Sequence, residues 1–396
     1  MFEGKNVVLG VTGSIAAYKA VDLASKLTQR GLAVDVIMTK AAMQFVTPLS
    51  FRSITHRPVV TDMFELSSEF SVEHVALAER ADVMLVAPAT ANTIAKIAAG
   101  IADEMLLSTV LATRAPVIVA PAMDVGMWRN PATTENVERL RARGFTIVGP
   151  AEGRLASGLI GEGRLEDNFV ILGTVYQVLG KGGDLVGRRV VVSAGGTHEP
   201  IDLVRFIGNR SSGKMGYAIA EAARDRGATV TLISGTTSVP EPAGVEIVSV
   251  ATAEEMRAAV GRAAEGADVI IMAAAVADYR PATSAGGKIK REAERLTLEL
   301  EKTTDIIGEL SGSFIKVGFA AEDGDAESRG ADKLRKKGLD LIAVNDIRAE
   351  DSGFEVDTNR VSLVDRSGNV ERLPLLPKAD VAHRLLDRVA ALLAAR

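Results

Sequence analysis

The 396-residue chain contains no cysteine. Disulfides, thiolate metal sites and thiol catalysis from within the chain are therefore excluded. Histidine is scarce too. His56, His74, His198 and His383 are scattered, which argues against a His-rich metal site. There is no long run of lysine and arginine, and the net charge is −5. Neither nucleic acid nor an anionic membrane surface is favoured as a partner, and a phosphorylated ligand has to be met by local loops and helix ends. Long apolar runs are missing as well. The longest, Val269–Ala277, is far too short to span a bilayer, and Met1–Val11 lacks the apolar core and cleavage site of a secretory signal. A cytoplasmic location is expected.

What is present is a compact globular composition, 47% hydrophobic and 24% charged, with length enough for two domains of about 200 residues. One pattern occurs twice. Val7-Val8-Leu9 leads into Gly10-x-x-Gly13-Ser14, then a helical face of Ala17, Ala20, Val21, Ala24 and Leu27, then Val34–Met38. In the second half Val190–Val192, Gly195-Gly196, a helix through Tyr217–Arg226 and Val230–Ile233 repeat that layout. Ala81–Ala87 and Ala267–Ala273 match each other as the next strands. Val117–Ala120, Thr146–Val148, Ile315–Phe319 and Leu341–Val344 follow as further buried strands. Runs apolar throughout and alternating with helices predict an α/β chain of two doubly wound, parallel-sheet, Rossmann-like domains. Gly180–Asp184 reads as the linker, giving domains 1–183 and 184–396.

In such sheets ligands sit beyond the carboxyl ends of the strands. Gly10-x-x-Gly13-Ser14 suits a phosphate there, although by spacing alone it is equally a tight turn. Thr39, where a dinucleotide fold would place an acid, favours a mononucleotide. Three further segments narrow the reading: Pro88-Ala-Thr-Ala-Asn-Thr93, Pro121-Ala-Met-Asp124-Val-Gly-Met127-Trp128, and the Gly-rich Leu155–Arg164, with His74 upstream. Together they resemble the flavin-mononucleotide-dependent cysteine decarboxylases over nearly the whole first domain. The resemblance implies FMN held by Gly13, Ser14, Thr39, Pro88, Ala89, Thr90, Asn92, Ser108 and Met123. It implies an oxidative decarboxylation with His74 as base: the cysteinyl thiol is oxidised to a thioaldehyde, carbon dioxide leaves, and the enethiol is reduced again. Alone, His74 would read as a helix cap. Two positions depart from the family, Asp124 for its usual Asn and Ser157 for the Cys of the coenzyme A enzymes. An ionised Asp124 beside a substrate carboxylate at 4 Å would be repelled by about 4 kcal/mol at an effective dielectric near 20. With substrate bound, a raised pKa and a protonated Asp124 are therefore expected, replacing the Asn amide as donor and supplying the missing acid.

In the second half Gly208-Asn-Arg-Ser-Ser-Gly213-Lys214 fits G-x-x-x-x-G-K. Met215 stands where a magnesium-binding hydroxyl belongs, and no strand is expected directly before it, so a Walker-type site is excluded. Ser193–Asp202, Asn209–Gly216, Ala273–Arg280, Lys288-Ile-Lys290, Gly318–Glu322 and Asn345-Asp346 together resemble the bacterial phosphopantothenate–cysteine ligase, almost end to end. A fusion of this ligase behind the decarboxylase is the usual bacterial bifunctional arrangement of coenzyme A biosynthesis. The resemblance implies 4′-phosphopantothenate, L-cysteine and CTP as substrates, with Mg2+ brought by the triphosphate and Asp278 on the nucleotide or its metal. Lys288 would neutralise the α-phosphate and Asn209 would orient the acyl cytidylate. Ser212, Met272, Ala273, Ala274, Thr304, Asp305, Ile306, Ile307 and Phe319 would surround the nucleotide, with Lys333 and Lys337 on the triphosphate. Taken singly, each lysine reads as solvated surface. His198 is assigned no role. The family implies a homo-oligomer, with trimers of the flavin domain that assemble into dodecamers and ligase domains that dimerise. Two rival readings stand beside this one: an active ligase fused to a flavin-binding regulatory or half-reaction domain, and a nicotinamide dehydrogenase on the first Gly loop.

Overall fold

The computed structural model describes residues 2–64, 73–290, 296–322, 326–346 and 356–396, and every element count below is of these. The side chains of Glu322 and Asp346, within two of the motifs above, lie outside the described set. The chain divides into two compact units, Met1–Leu179 and Gly180–Arg396.

The first unit opens with β1 (Asn6–Val11), α1 (Ala17–Gln29), β2 (Ala33–Met38), α2 (Pro48–Thr55) and β3 (Val59–Val60). It continues with α3 (Glu73–Arg80), β4 (Val83–Ala89), α4 (Ala91–Ala99), α5 (Met105–Ala112) and β5 (Val117–Pro121). Then come α6 (Val125–Trp128), α7 (Pro131–Ala142), β6 (Thr146–Ile147), the hairpin β7 (Ala151–Arg154) and β8 (Ile160–Arg164), and α8 (Asn168–Leu179). The main sheet has the order β3-β2-β1-β4-β5-β6 and all its pairings are parallel. The strand order reverses between β1 and β4, where a doubly wound sheet opens its crevice. Alternate residues explain the burial on both faces: Val7, Leu9 and Val11 pack under α1 and α8, while Val8 joins the cluster under α4 and α5. On α1 Leu23 is fully buried, and Val21 packs partly buried against the same cluster.

The second unit begins with β9 (Arg189–Ala194), the hairpin β10 (His198–Pro200) and β11 (Phe206–Gly208), α9 (Lys214–Asp225), β12 (Thr229–Ser234), β13 (Glu246–Ser249) and α10 (Ala253–Ala263). It goes on through β14 (Val269–Met272), the hairpin β15 (Tyr279–Pro281) and β16 (Leu300–Lys302), α11 (Ile306–Glu309), β17 (Ile315–Glu322) and α12 (Ala326–Lys337). It ends with β18 (Leu341–Asp346), β19 (Thr358–Asn359), β20 (Val361–Asp365), β21 (Val370–Arg372), β22 (Leu376–Pro377) and α13 (Lys378–Ala394). The sheet order is β13-β12-β9-β14-β17-β18-β20-β21. Six strands are parallel, with the switch between β9 and β14; β20 and β21 extend the edge antiparallel. The expected all-parallel sheet is thus a mixed one. Antiparallel strands can return without a crossover helix, as β20 and β21 do here.

Two further expectations change. Gly180–Asp184 is no loose linker. Gly180 and Gly183 lie against the backbone of Asp225 and Arg226, and Asp184 accepts from the Arg226 guanidinium at 2.8 Å. A strand does precede the Gly208–Lys214 loop, namely β11. It belongs to a two-stranded hairpin off the main sheet, so the loop still lacks the sheet-strand-to-helix setting of a Walker-type site. No helix among the described residues is long and apolar enough to cross a membrane.

Gly216 marks where α9 crosses β9 most closely: an added Cβ would stand 2.5 Å from the Ala194 Cβ and 2.8 Å from the Ser193 carbonyl. Gly216→Ala should push α9 off the sheet and cost the second unit about 1–3 kcal/mol. Denaturation followed by circular dichroism should show a lowered midpoint for one transition. Fluorescence of the sole tryptophan, Trp128 in the first unit, should not move.

Candidate active sites

In the first unit the chain leaves β1 through Thr12-Gly13-Ser14 into α1. A Cβ on Gly13 would come within 2.4 Å of the Ala41 Cβ, so glycine is what lets the turn after β2 pack here. Ala16 caps α1 without a side-chain hydrogen bond, and no acidic residue occupies the first turn. That end is open to an anion. Across the switch point the buried Thr12 hydroxyl donates to the Pro88 carbonyl at 2.6 Å and accepts from the Thr90 N–H at 3.1 Å. Thr90 in turn caps α4 through Thr93. From β5 the chain enters Met123-Asp124, and the β7–β8 hairpin is pinned to it by the Met123 N–H, 2.9 Å from the Gly163 carbonyl.

These segments enclose a cavity of about 570 Å³. Of the residues given a role from the sequence, Gly13, Ser14, Thr90, Met123, Asp124 and Ser157 line it. The other expected flavin contacts do not. Thr39 is buried and caps the next turn, accepting from the Ala42 N–H at 3.2 Å; Pro88 and Ala89 hold the Thr12 bridge and the strand end. Asn92 is exposed on α4, and the Ser108 hydroxyl is spent on the Ala102 carbonyl at 3.2 Å. His74 is half-buried in the first turn of α3 and is not among the residues that line the cavity; residues 65–72 before it lie outside the described residues.

Asp124 caps α6, its Oδ1 accepting from the Gly126 N–H at 3.0 Å, and its Oδ2 accepts from the Ser157 hydroxyl at 2.6 Å. The Ser157 hydroxyl first, and then the Gly126 N–H, hold the carboxyl below the usual carboxylate range. The protonated acid expected above belongs to the substrate-bound state, where a second carboxylate stands beside Asp124. Asp124 is solvated and hydrogen-bonded in its ionised form, and burial plays only a minor part.

Several lining residues escaped the sequence reading. Ile15, Tyr18 and Lys19 bound the cavity from the face of α1 opposite its core face, and their i, i+3, i+4 spacing is the signal that could have shown them. Arg154 and Arg164 add cations from the hairpin. Ile15, Tyr18 and Met127, 50–60% exposed, give the cavity an apolar rim.

In the second unit a cavity of about 560 Å³ opens at the carboxyl ends of β14 and β17. Met272, Ala274 and Asp278 line it from β14 and the loop after it, Thr304, Asp305, Ile306 and Ile307 from the start of α11, Phe319 from β17, and Lys333 and Lys337 from α12. Asp305 caps α11 through the Gly308 N–H and pairs with the Lys337 ammonium at 3.0 Å. The loop after β14 is stitched to the end of β9 and to the loop that follows: the Ser193 hydroxyl accepts from the Ala274 N–H at 3.1 Å and the Thr197 hydroxyl from the Ala277 N–H at 2.9 Å. Thr303, missed from the sequence, ties the far wall by donating its hydroxyl to the Ala277 carbonyl at 2.5 Å.

Ala273, Ser212, Asn209 and Lys288 stand outside that lining. Asn209 nevertheless reaches its edge, its amide donating to the carbonyl of Ala275 while its Oδ1 accepts from the Ser211 N–H at 2.9 Å. Ser212 precedes Gly213, the cap of α9, and its carbonyl accepts from the Thr237 hydroxyl at 2.7 Å. Lys288 is exposed on the loop between β15 and β16. His198, given no role, stacks on Phe206 with ring centroids 3.7 Å apart. Among the described residues no three His, Asp or Glu side chains gather as a metal site.

The Flavoprotein family matches residues 1–180, and the DNA/pantothenate metabolism flavoprotein C-terminal domain family matches residues 185–393. The chain is 45% identical over 398 residues to the coenzyme A biosynthesis bifunctional protein CoaBC of Bacillus subtilis strain 168, covering 99% of this chain and 98% of that protein. Among solved structures, the C-terminal domain of a coenzyme A biosynthesis bifunctional protein CoaBC is similar at 39% identity, with 54% of this chain and all of that one covered and a TM-score of 0.47. An FMN-dependent cysteine decarboxylase, SpaF, is similar at 36% identity over 41% of this chain and 92% of that one, with a TM-score of 0.38.

The Asp124–Ser157 bond is open to a direct test. Because it favours the carboxylate, its contribution to hairpin closure is present above the ordinary aspartate pKa and lost as pH falls through the lowered value. In Ser157→Ala the Asp124 carboxyl, followed by 13C NMR, should titrate at higher pH than in the parent. An unchanged titration would show that the hairpin tip stands away from Asp124 in solution.

Proposed function

Because the chain belongs to the bifunctional coenzyme A biosynthesis proteins, which join a phosphopantothenoylcysteine decarboxylase to a phosphopantothenate–cysteine ligase, we propose that ligation takes place in residues 184–396 and decarboxylation in residues 1–183. What carries the ligase assignment is the single cavity around which Met272, Asp278, Asp305, Phe319, Lys333 and Lys337 gather. The proposed reaction starts with attack of the 4′-phosphopantothenate carboxylate on the α-phosphate of CTP. Pyrophosphate leaves and an acyl cytidylate forms; the amine of L-cysteine then displaces CMP and the new amide keeps the nitrogen. Catalysis of this kind is positioning and charge neutralisation. Lys288 meets the negative charge that grows on the α-phosphate, Lys333 and Lys337 hold the triphosphate with Mg2+ on Asp278, and Asn209 orients the acyl cytidylate.

The first cavity suits FMN: a capless, acid-free helix end at Gly13-Ser14 for its phosphate and space enough for a ring system. When bound, FMN supplies the electron acceptor for oxidation of the cysteinyl thiol in 4′-phosphopantothenoylcysteine. His74 takes the proton from the substrate, while Ser157 and Asp124 close the β7–β8 hairpin over it and exclude water. His74 is not among the residues that line the cavity of its own chain, and the rim is apolar. Both favour a homo-oligomer in which His74 serves a neighbouring copy's cavity, in the trimer-based assembly that the family resemblance implies.

Purified protein should be yellow and release FMN on denaturation. Gly13→Val, which drives a branched side chain into Ala41, should lose the flavin and decarboxylation while ligation persists. A colourless parent with no affinity for FMN would remove the flavin assignment.

Pyrophosphate release from CTP and 4′-phosphopantothenate without cysteine isolates the first half of ligation. Lys288→Gln should abolish it, whereas Asn209→Asp should release a burst of pyrophosphate and then stall with cysteine present. ATP in place of CTP should give little release; equal release would overturn the nucleotide assignment.

A further inference from the structure

Lys288 sits on a stretch with little of its own to hold it. Gly286 and Gly287 precede it; a Cβ added to either would meet nothing within 4 Å, and the Lys288 side chain is exposed. Yet the backbone on both sides is tied to the same turn. The Ala285 N–H donates to the Ile201 carbonyl at 3.0 Å. The Ile289 N–H donates to Asp202 Oδ2 at 3.1 Å, and the Ile289 carbonyl accepts from the Arg205 guanidinium at 3.3 Å.

Asp202 is the centre of that clamp. Its side chain is wholly enclosed, which is costly for a carboxylate unless every oxygen is satisfied. Oδ1 accepts from the Val204 N–H at 2.8 Å and the Arg205 N–H at 2.7 Å, closing the turn between β10 and β11; Oδ2 reaches across to Ile289. These backbone donors, that of Val204 foremost, hold the carboxyl below the usual range, so it is ionised at neutral pH. The turn is itself anchored. Within β10 the His198 N–H donates to the Ala251 carbonyl at 2.8 Å, and buried Glu199 accepts from the Ala253 N–H at 2.9 Å. Beyond β11 the chain passes directly into Asn209.

We propose that Asp202 is a positioning residue of the ligase: by gripping the Ile289 N–H it fixes the backbone beside Lys288 to the hairpin that carries Asn209, and so sets where the ammonium meets the α-phosphate. Asp202 itself, enclosed among these donors, acts through Lys288 and not on substrate. An amide at this position is a poor substitute, because it has one acceptor oxygen for three N–H donors and presents its own N–H2 to one of them. Removing the clamp frees the loop and leaves the nucleotide cavity, lined by other segments, as it was.

This inference rests on the assignment of Lys288 to the cytidylyl step, and the test separates the two. Pyrophosphate release is measured without cysteine for Asp202→Asn, Lys288→Gln and the double variant, with decarboxylation of supplied 4′-phosphopantothenoylcysteine as a control on the same chains. Asp202→Asn should lower kcat at least ten-fold, with the KM for CTP within two-fold and decarboxylation unchanged. The double variant should be no slower than Lys288→Gln alone, because both act through one ammonium. Normal release in Lys288→Gln would remove the lysine assignment and this inference with it. A dead Lys288→Gln beside a normal Asp202→Asn would overturn the inference alone. Loss of CTP affinity or of thermal stability in Asp202→Asn matching the loss of rate would make Asp202 merely structural, and would also overturn it. Hydrogen exchange in the unmodified protein gives a check that needs no variant: the Ile289 amide should be protected well beyond Gly286 and Gly287, and exchange as fast as theirs would show that no clamp exists.

Discussion

Parallel strands end together, and at the switch point two of them diverge, leaving backbone groups at the carboxyl edge with no ladder partner. Both units bridge that gap with a buried hydroxyl. Thr12, 1% exposed, joins the loop after β1 to the loop after β4 through Pro88 and Thr90. Thr197, fully buried, and Ser193 do the same between the end of β9 with the loop that follows it and the loop after β14, through Ala277 and Ala274. A hydroxyl suits this place because it donates and accepts at once and occupies little volume. Both cavities open beside these bridges. If the bridges failed, the loops would be free to separate and the lining residues would lose their common frame.

The chain handles anions with a net negative charge, so its cations have to be local. Lys19, Arg154 and Arg164 around the first cavity and Lys333 and Lys337 around the second supply them, each against a background of backbone N–H groups at helix starts. Where carboxylates occur beside these cavities, two are committed. Asp305 caps α11 and pairs with Lys337, and Asp124 caps α6 and accepts from Ser157. The Lys337 ammonium keeps the charge of Asp305 from opposing a phosphorylated ligand, whereas the neutral donors on Asp124 hold that carboxylate in place. The Asp124–Ser157 pair is thereby a single feature: the aspartate gives the serine hydroxyl an acceptor, and the serine gives the hairpin tip a place to rest.

In the second unit one stretch, Thr197–Asn209, ties several neighbouring segments together. Buried Thr197 bonds to the loop after β14, buried Glu199 to the start of α10, buried Asp202 to the segment beside Lys288, and exposed Asn209 to the edge of the second cavity. Buried polar groups are expensive unless satisfied, and here each satisfies a different neighbouring segment. Loops that carry the chemistry are thereby held to one another rather than only to the sheet. The arrangement explains why the hairpin β10–β11 stands off the main sheet yet is held at both ends.

The alternation of apolar strands with helices, and the order of short motifs, were legible in the linear chain because burial on both sheet faces requires apolar runs and because loop chemistry follows each strand directly. Two doubly wound units and the family follow from that. Other features depended on segments distant in sequence. Asp124 was expected to be protonated on the strength of a like charge nearby. Without that charge its state is governed by Ser157, thirty-three residues on, whose distance no motif encodes. Thr39, Asn92 and Ser108 were grouped with the flavin by their place in motifs, but only packing shows which side chains face a cavity and which hold the frame. Asp202 looked like the end of a motif. That its carboxylate grips Ile289 was decided by two loops meeting in space, and a contact between loops is the one thing that local propensity and periodicity do not record.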